Sequence, residues 1–408
     1  MKHLKNRIII ALLFNLIGLK TFAQIFSVEN NDGVTIYYAY INNGKDLAVS
    51  YLDCHYYSDE SSSDNTFIVY SHKGYEGVEK IIIPEKVTYM NRTRTVTSIG
   101  ACAFAKCKDL KTVVLPNTIT KIGKGAFYDC KSLSTINMPT SLTEIGVYAF
   151  PIGNGAKIII KDIGSWCKVK MGKSMAYPLN GNCLYSDERT EIKDLIIPNN
   201  VEVIRRQTFF NCKNLKTVKI PSSVTTIEQE AFRGCDELSS VIIGGDYNGY
   251  SGNTIIEKYA FTWCEKLTSL VLGNNVSSIG FCAFDNCSLT SLTLPSSISS
   301  ISQDAFTYNK IIEVTSYITE LFELPSSAFD KETKYNATLN VVKGYAEKYR
   351  AKKGWREFLW IEETLANKID KVILEDDKSV YYDIWGHQIN KPSSKGVYIK
   401  NGTKRIIK

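Results

Sequence analysis

Cysteine is the residue type in this chain with the most chemistry to offer, and six of its cysteines keep one place. Cys107, Cys130, Cys212, Cys235, Cys264 and Cys287 each stand three positions after a phenylalanine. Metal ligation, disulfide bonding and inert burial are the three chemistries open to such a set. The Cys-x₂-Cys and Cys/His spacings of zinc sites are absent from the sequence. Disulfides between successive positions are within reach if the repeats lie one strand apart, at about 4.8 Å. Parallel side chains entering one interior are nevertheless poorly aimed at each other, so buried free thiols are the expectation. Cys102 and Cys282 sit five residues before such a cysteine. Their column reads Cys, Gly, Tyr, Gln, Glu, Tyr, Cys, Asp along the chain, which predicts a variable, solvent-facing position.

Little else resembles catalytic equipment. Beyond the N-terminal segment the histidines are His55, His72 and His387, each isolated, and Cys54 and His55 would face opposite sides of a strand. Gly-x-Ser-x-Gly, phosphate-loop, His-Glu-x-x-His and calcium-loop patterns are missing. Glu362-Glu363 and Asp376-Asp377 read as solvated charge. The expectation is no catalytic residue, no cofactor, no metal and no enzyme.

The elements that carry the cysteines are repeats. The sentence I-G-x-x-A-F-x-x-C-x-x-L-x-x-I-x-L-P returns with its phenylalanine at Phe104, Phe127, Phe150, Phe209, Phe232, Phe261, Phe284 and Phe306. The intervals are 23, 23, 59, 23, 29, 23 and 22 residues, a period of 23 with two insertions. Such a period on an L-x-x-L-x-L core marks a leucine-rich repeat solenoid, in which each coil buries its apolar side only against its neighbours. Val113 and Leu115 alternate with Thr112 and Val114 as a half-buried strand, and Pro116 closes it. Phe104, Cys107 and Leu110 fall at i, i+3 and i+6, the spacing of a short helix or turn.

Five regions follow. Residues 1–23 read as a signal peptide: Lys2, Lys5 and Arg7 precede the apolar run IIIALLFNLIGL, and Thr21-Phe22-Ala23 offers cleavage before Gln24. That run is shorter than the ~20 residues of a spanning helix, so no transmembrane segment is expected after cleavage. Residues 24–95 form a β-rich N-terminal cap, and 96–330 the solenoid with inserts at 151–191 and 244–253. Residues 331–363 make a C-terminal cap with a basic helix; 364–408 make a linker and a β-rich tail, with a hairpin signal at Asn401-Gly402. The formal charge of +7 falls to +3 once Lys2, Lys5, Arg7 and Lys20 leave with the signal, too little for a nucleic-acid partner.

These motifs resemble the BspA-like leucine-rich repeat proteins of Bacteroidetes. The resemblance rests on VTSIGACAFAKCKDLKTVVLP, the TYMNRTRTVTSIG entry, the SWCKVKMG…NCLYSDERTEIKDLIIP insert and the VVKGYAEKYRAKKGWREF close. It implies a secreted or cell-surface protein, and some members resemble adhesins for host matrix proteins or other bacteria. The segment from Val380 to Lys408 is similar to C-terminal sorting segments of that phylum, with a plain β-rich module as the alternative.

Two places could hold a partner. The outward strand columns read Val114, Asn137, Lys219, Ile242, Val271 and Thr293, flanked by Thr112, Thr135, Thr217, Ser240, Ser269 and Ser291. Strands stacked at about 4.8 Å give a face long enough for a standard interface of about 800 Å² per partner. Hydroxyl and β-branched residues also suit any exposed strand, and these columns lack the aromatic and arginine anchors of energetic centres. The inserts offer Trp166, Tyr177, Tyr185, Tyr247 and Tyr250. The sequence therefore supports an exported recognition protein for a protein or glycan at the cell surface. A structural envelope spacer without a discrete ligand is the alternative.

Overall fold

Alternating strands such as Thr112–Val114 bury one face and cannot stand alone, so each must pair with the next coil. The computed structural model describes residues 25–50, 75–150, 155–172, 177–244 and 253–363, with backbone strands at 56–58, 67–69, 364–365, 372–375, 381–382, 388–389, 396–400 and 403–407. The signal-type segment, Cys54, Tyr247 and Tyr250 lie outside the described residues. The chain divides into two units, one of residues up to 178 with 185–188, the other of 179–184 with 189 onward. Each is a leucine-rich repeat β-solenoid with few helices.

Every regular coil has three sides. In the first unit, the strands Lys80–Ile82, Thr112–Val114, Thr135–Met138 and Lys157–Ile160 stack in parallel as one strip. Arg92–Ile99, Lys121–Ile122, Glu144–Ile145 and Lys170–Met171 form a second parallel strip. An antiparallel meander of Ile25–Glu29, Thr35–Ile41 and Asp46–Ser50 pairs onto the edge of this second strip through Asp46–Ser50. The second unit repeats the plan. Its first strip runs Asp194–Ile196, Thr217–Ile220, Ser240–Ile243 and Ser269–Leu272, and a further sheet runs Ser291–Leu294, Glu313–Ser316, Thr338–Val342 and Trp360–Leu365. Val203–Ile204, Thr226–Ile227, Thr254–Ile256, Val276–Ile279 and Ser300–Ile301 make its second strip.

The third side holds the phenylalanines and cysteines, and of the two forms open to the i, i+3, i+6 spacing, short helix or turn, it takes the turn. It is a succession of turns, with left-handed residues two before and two after the phenylalanine: Cys102 (φ 56) and Lys106 (φ 60) in one coil, Tyr259 and Trp263 (both φ 60) in another. That alternation points every second N–H at the neighbouring coil. Cys102, Phe104 and Lys106 donate to the carbonyls of Lys124, Ala126 and Tyr128 at 2.9, 2.8 and 2.6 Å. A helix would have consumed those donors internally. The arc is therefore a third hydrogen-bonded ladder rather than a row of helical turns.

The core is a stack of rings. Phe104, Phe127 and Phe150 stack at 5.4 and 5.3 Å in the first unit. Phe209, Phe232, Phe261, Phe284, Phe306 and Phe329 continue the pattern in the second at 5.0 to 5.6 Å. Each stacked pair is worth about 0.5–1.5 kcal/mol beyond its burial. Phe358 closes the column edge-on against Phe329.

The stretch 151–191 is only partly an insertion. Lys157–Ile160 and Lys170–Met171 both pair in repeat register, so a complete coil lies within it. Trp166 is consequently an interior residue at 2% exposure, and Tyr177 is buried as well. Both are withdrawn as ligand contacts, because a side chain sealed in the core presents no surface. Tyr185 is half-buried and carries Lys157 over its ring at 5.2 Å. In the tail, Gly396–Lys400 and Thr403–Ile407 pair antiparallel.

Candidate recognition surface

The outward strand columns are less open than their sequence suggests. Val114 is exposed, but the amide of Asn137 is spent on the preceding coil, accepting from Leu115 N–H and donating to its carbonyl, both at 2.8 Å. In the second unit Ile196, Lys219, Ile242 and Val271 share one row. Ile196 and Lys219 are exposed and Ile242 is half-buried. Val271 is buried at 9% exposure and drops out as a contact. Thr293 is half-buried and belongs to the adjoining sheet, paired with Thr315. The row thus narrows, and aromatic or arginine anchors are absent from it.

The cysteine column turns out to have a hydrogen-bonding task. Cys130, Cys235, Cys264 and Cys287 donate Sγ–H to the carbonyls of Phe104, Phe209, Phe232 and Phe261 at 2.9, 3.2, 3.3 and 3.4 Å. Those carbonyls also accept the backbone N–H of the cysteine in their own coil, at 3.2 to 3.3 Å. A buried carbonyl has two lone pairs, and the thiol of the next coil satisfies the second. Asn309 proves the point by replacing cysteine in the last regular coil. Its Nδ2 donates to Phe284 O at 2.9 Å. The described cysteines are free thiols, and burial pushes Cys167, Cys212 and Cys287 up to about 12.

The column of Cys102 also departs from expectation. Cys102, Gln207 and Glu230 are buried rather than solvent-facing, and the two polar ones are held there by partners. Gln207 Nε2 donates to the Glu230 carboxylate in the next coil. Glu230 in turn holds Arg233 at 3.0 Å and Arg206 at 3.7 Å.

That carboxylate organises the most distinctive surface among the described residues. Arg233 stands over the ring of Trp263 at 4.4 Å, with Tyr259 at 5.7 Å and Phe210 at 6.0 Å. Tyr259 meets Phe281 edge-on at 5.3 Å. Trp263 keeps 47% of its surface exposed and Tyr308, two coils on at the same position, 74%. Beside them Asp285 takes the Thr307 hydroxyl, and burial with the nearby Asp304 and Asp330 raises its carboxyl above the usual range. Burial and the same Asp285 and Asp304 push the Cys282 thiol up to about 11. No titratable pair is set in catalytic geometry here; the arrangement is a rigid, aromatic and charged contact surface. Sequence reasoning passed over it by following the strand columns. Reading the positions one and two after each phenylalanine finds it, since they carry Phe210, Arg233, Trp263 and Tyr308.

The repeat geometry agrees with comparisons to known proteins. The sequence profile described as "BspA type Leucine rich repeat region" matches in six copies over residues 79–167, 181–253 and 254–341. The chain belongs to the BspA-type leucine-rich repeat family. Among solved structures, the BspA-type chain is similar to a leucine-rich repeat protein from Bacteroides ovatus ATCC 8483, at 20% identity over 84% of this chain and 80% of that one, with a TM-score of 0.53. It is similar to the pneumococcal vaccine antigen PcpA at 16% identity over 83% and 98% of the two chains, TM-score 0.43. A leucine-rich cell surface protein from Faecalibacterium prausnitzii A2-165 shares 22% identity over 74% and 98%, TM-score 0.30. Curated proteins give no match. The family is a repeat of the protein-interaction type rather than an enzyme family. Among the described residues, no helix is long and apolar enough to cross a membrane.

Proposed function

We propose that this BspA-type chain is an exported recognition protein of the bacterial cell surface, and that it holds its partner on the turn arc around Arg233 and Trp263. The observation that carries this reading is the exposed cluster itself: an arginine fixed by Glu230 against the ring of a half-exposed tryptophan, with Tyr259 and Phe281 alongside. Arginine, tryptophan and tyrosine dominate binding energy where they are held rigid and ringed by lesser contacts. Rigidity is supplied by the ladder, since Tyr259 and Trp263 donate their N–H groups to Phe281 and Asp285 of the next coil. An envelope spacer needs only polar ladders, and an unpaired aromatic surface is a liability to it. The leader of Lys2, Lys5, Arg7 and the apolar run supports export.

The test is adhesion of cells displaying the full chain to immobilised matrix proteins and to whole bacteria. Arg233→Ala combined with Trp263→Asn is expected to reduce adhesion at least tenfold. Lys219→Ala with Ile242→Ala, on the strand face, is expected to leave it unchanged. Wild-type cells that do not adhere, or adhesion indifferent to Arg233 and Trp263, would overturn the proposal.

A further inference from the structure

We infer that the arc binds an extended, uncharged β-1,4-linked glycan, with Trp263 and Tyr308 as two sugar-stacking platforms; this rests on the recognition reading above. Trp263 and Tyr308 occupy the same position of coils two apart and share a left-handed backbone, φ 60 and 53, so their Cα–Cβ bonds leave the arc in the same direction. The coil spacing there is recorded by Phe261, Phe284 and Phe306, whose rings are 5.2 and 5.6 Å apart. An extended β-1,4-linked chain advances by nearly this distance per sugar and turns over at each one. Alternate sugars therefore present the same face, and the two platforms are one such pair of sugars apart.

The intervening position fits the intervening sugar. It is Asn286, half-buried and in the same left-handed conformation at φ 53, an amide with both donor and acceptor capacity. The sugar between two stacked ones presents its opposite face, and the hydroxyls at the rim of that face are the groups such an amide can pair with. The charges select among glycans. Asp285, Asp304 and Asp330 gather beside Tyr308's coil, which suits hydroxyl donors and repels an anionic polysaccharide. Arg233 lies against Trp263 on one side, which holds the indole plane while almost half of its surface stays open.

The experiment is calorimetric titration of the mature full-length protein with hexasaccharides of β-1,4-linked glucose and β-1,4-linked N-acetylglucosamine, with the matching disaccharides, and with an α-1,4-linked glucose hexasaccharide. Trp263→Asn and Tyr308→Asn are the informative variants, because asparagine already fills this left-handed position at Asn211 and Asn286. Trp360→Ala, which removes another exposed aromatic in the same unit, is the control. Binding of a β-linked hexasaccharide is expected, at least tenfold weaker for the disaccharide and for either asparagine variant, and unchanged in the control. No binding of either β-linked hexasaccharide, equal binding of the α-linked one, or indifference to both variants would overturn the inference. Adhesion that still depends on Trp263 without any hexasaccharide binding leaves the recognition reading in place and removes only the glycan. Adhesion and titration that both ignore Trp263 remove both.

Discussion

At the scale of single residues, the repeated cysteine is a donor to a carbonyl before it is anything else. A thiol committed to Phe209 O cannot also ligate a metal or enter a disulfide without leaving the second lone pair of that oxygen unfilled. Cys235→Ala should therefore lose both packing and a hydrogen bond, about 1–3 kcal/mol, and Asn309→Ala about as much. Urea unfolding midpoints of the two variants measure this. The same chemistry predicts alkaline sensitivity. Burial raises the Cys212 and Cys287 thiols from the ordinary 9.0 to about 12, so the folded state keeps protons that the unfolded state releases. The stability they contribute is complete below pH 9 and declines as pH climbs towards 12. Replacing Cys212 and Cys287 by alanine should flatten that decline; an unchanged slope between pH 9 and 11 would show that other groups set it. The position was legible in the sequence as interior, but its task was not. Only Asn309, at the same place in a coil without cysteine, betrays that a donor is needed.

Among the elements, the backbone approach between coils is as decisive as the apolar stack. A Cβ on Gly123 would sit 2.6 Å from Ala101 N, and one on Gly146 2.5 Å from Lys124 N. Gly123→Ala should cost about 1–3 kcal/mol or more, since neither backbone can yield without breaking the ladder. Gly77→Ala, at φ 74 in open space, should cost only the left-handed penalty of about 1 kcal/mol. Comparing their thermal midpoints checks the difference, and equal losses would refute the close-approach argument. Where the second unit has Glu228 and Glu257 at this position, each carboxylate accepts a backbone N–H of the preceding coil, from Arg206 and Gln229, at 2.8 and 2.9 Å. The phenylalanine period and strands such as Thr112–Val114 and Thr217–Ile220 made the solenoid readable, because they repeat the same physics coil after coil. The second strip was not readable. Pairs such as Lys121-Ile122 and Glu144-Ile145 are too short for alternation to register. Nor was the turn arc, whose i, i+3, i+6 spacing imitates a helix while its left-handed residues forbid one.

For the whole molecule, the question is which part folds it and which part delivers it. The repeat stack of the second unit closes before the tail begins: Phe358 lies edge-on to Phe329, Trp355 Nε1 donates to Phe322 O at 3.0 Å, and the Tyr349 hydroxyl donates to Ile318 O at 2.8 Å. Trp355 and Tyr349 are fully buried, so the last coil already has its cover. A chain ending at Leu365 should therefore unfold at the same urea midpoint as the full chain. Location is the separate outcome. If residues 366–408 address the protein to the surface, the shortened chain should stay in the periplasm, while the full chain is cut by proteinase on intact cells. Unchanged midpoint with lost surface exposure would assign the tail to delivery. Unchanged location would make it an ordinary β module, and the recognition surface would then need another route outward. This division also explains why function was fainter than fold in the sequence. Folding is written in the positions that repeat, whereas Arg233, Trp263 and Tyr308 stand in columns where each coil differs from the next. A surface that must distinguish a partner along its length cannot be periodic in chemistry, even when its backbone is periodic in space.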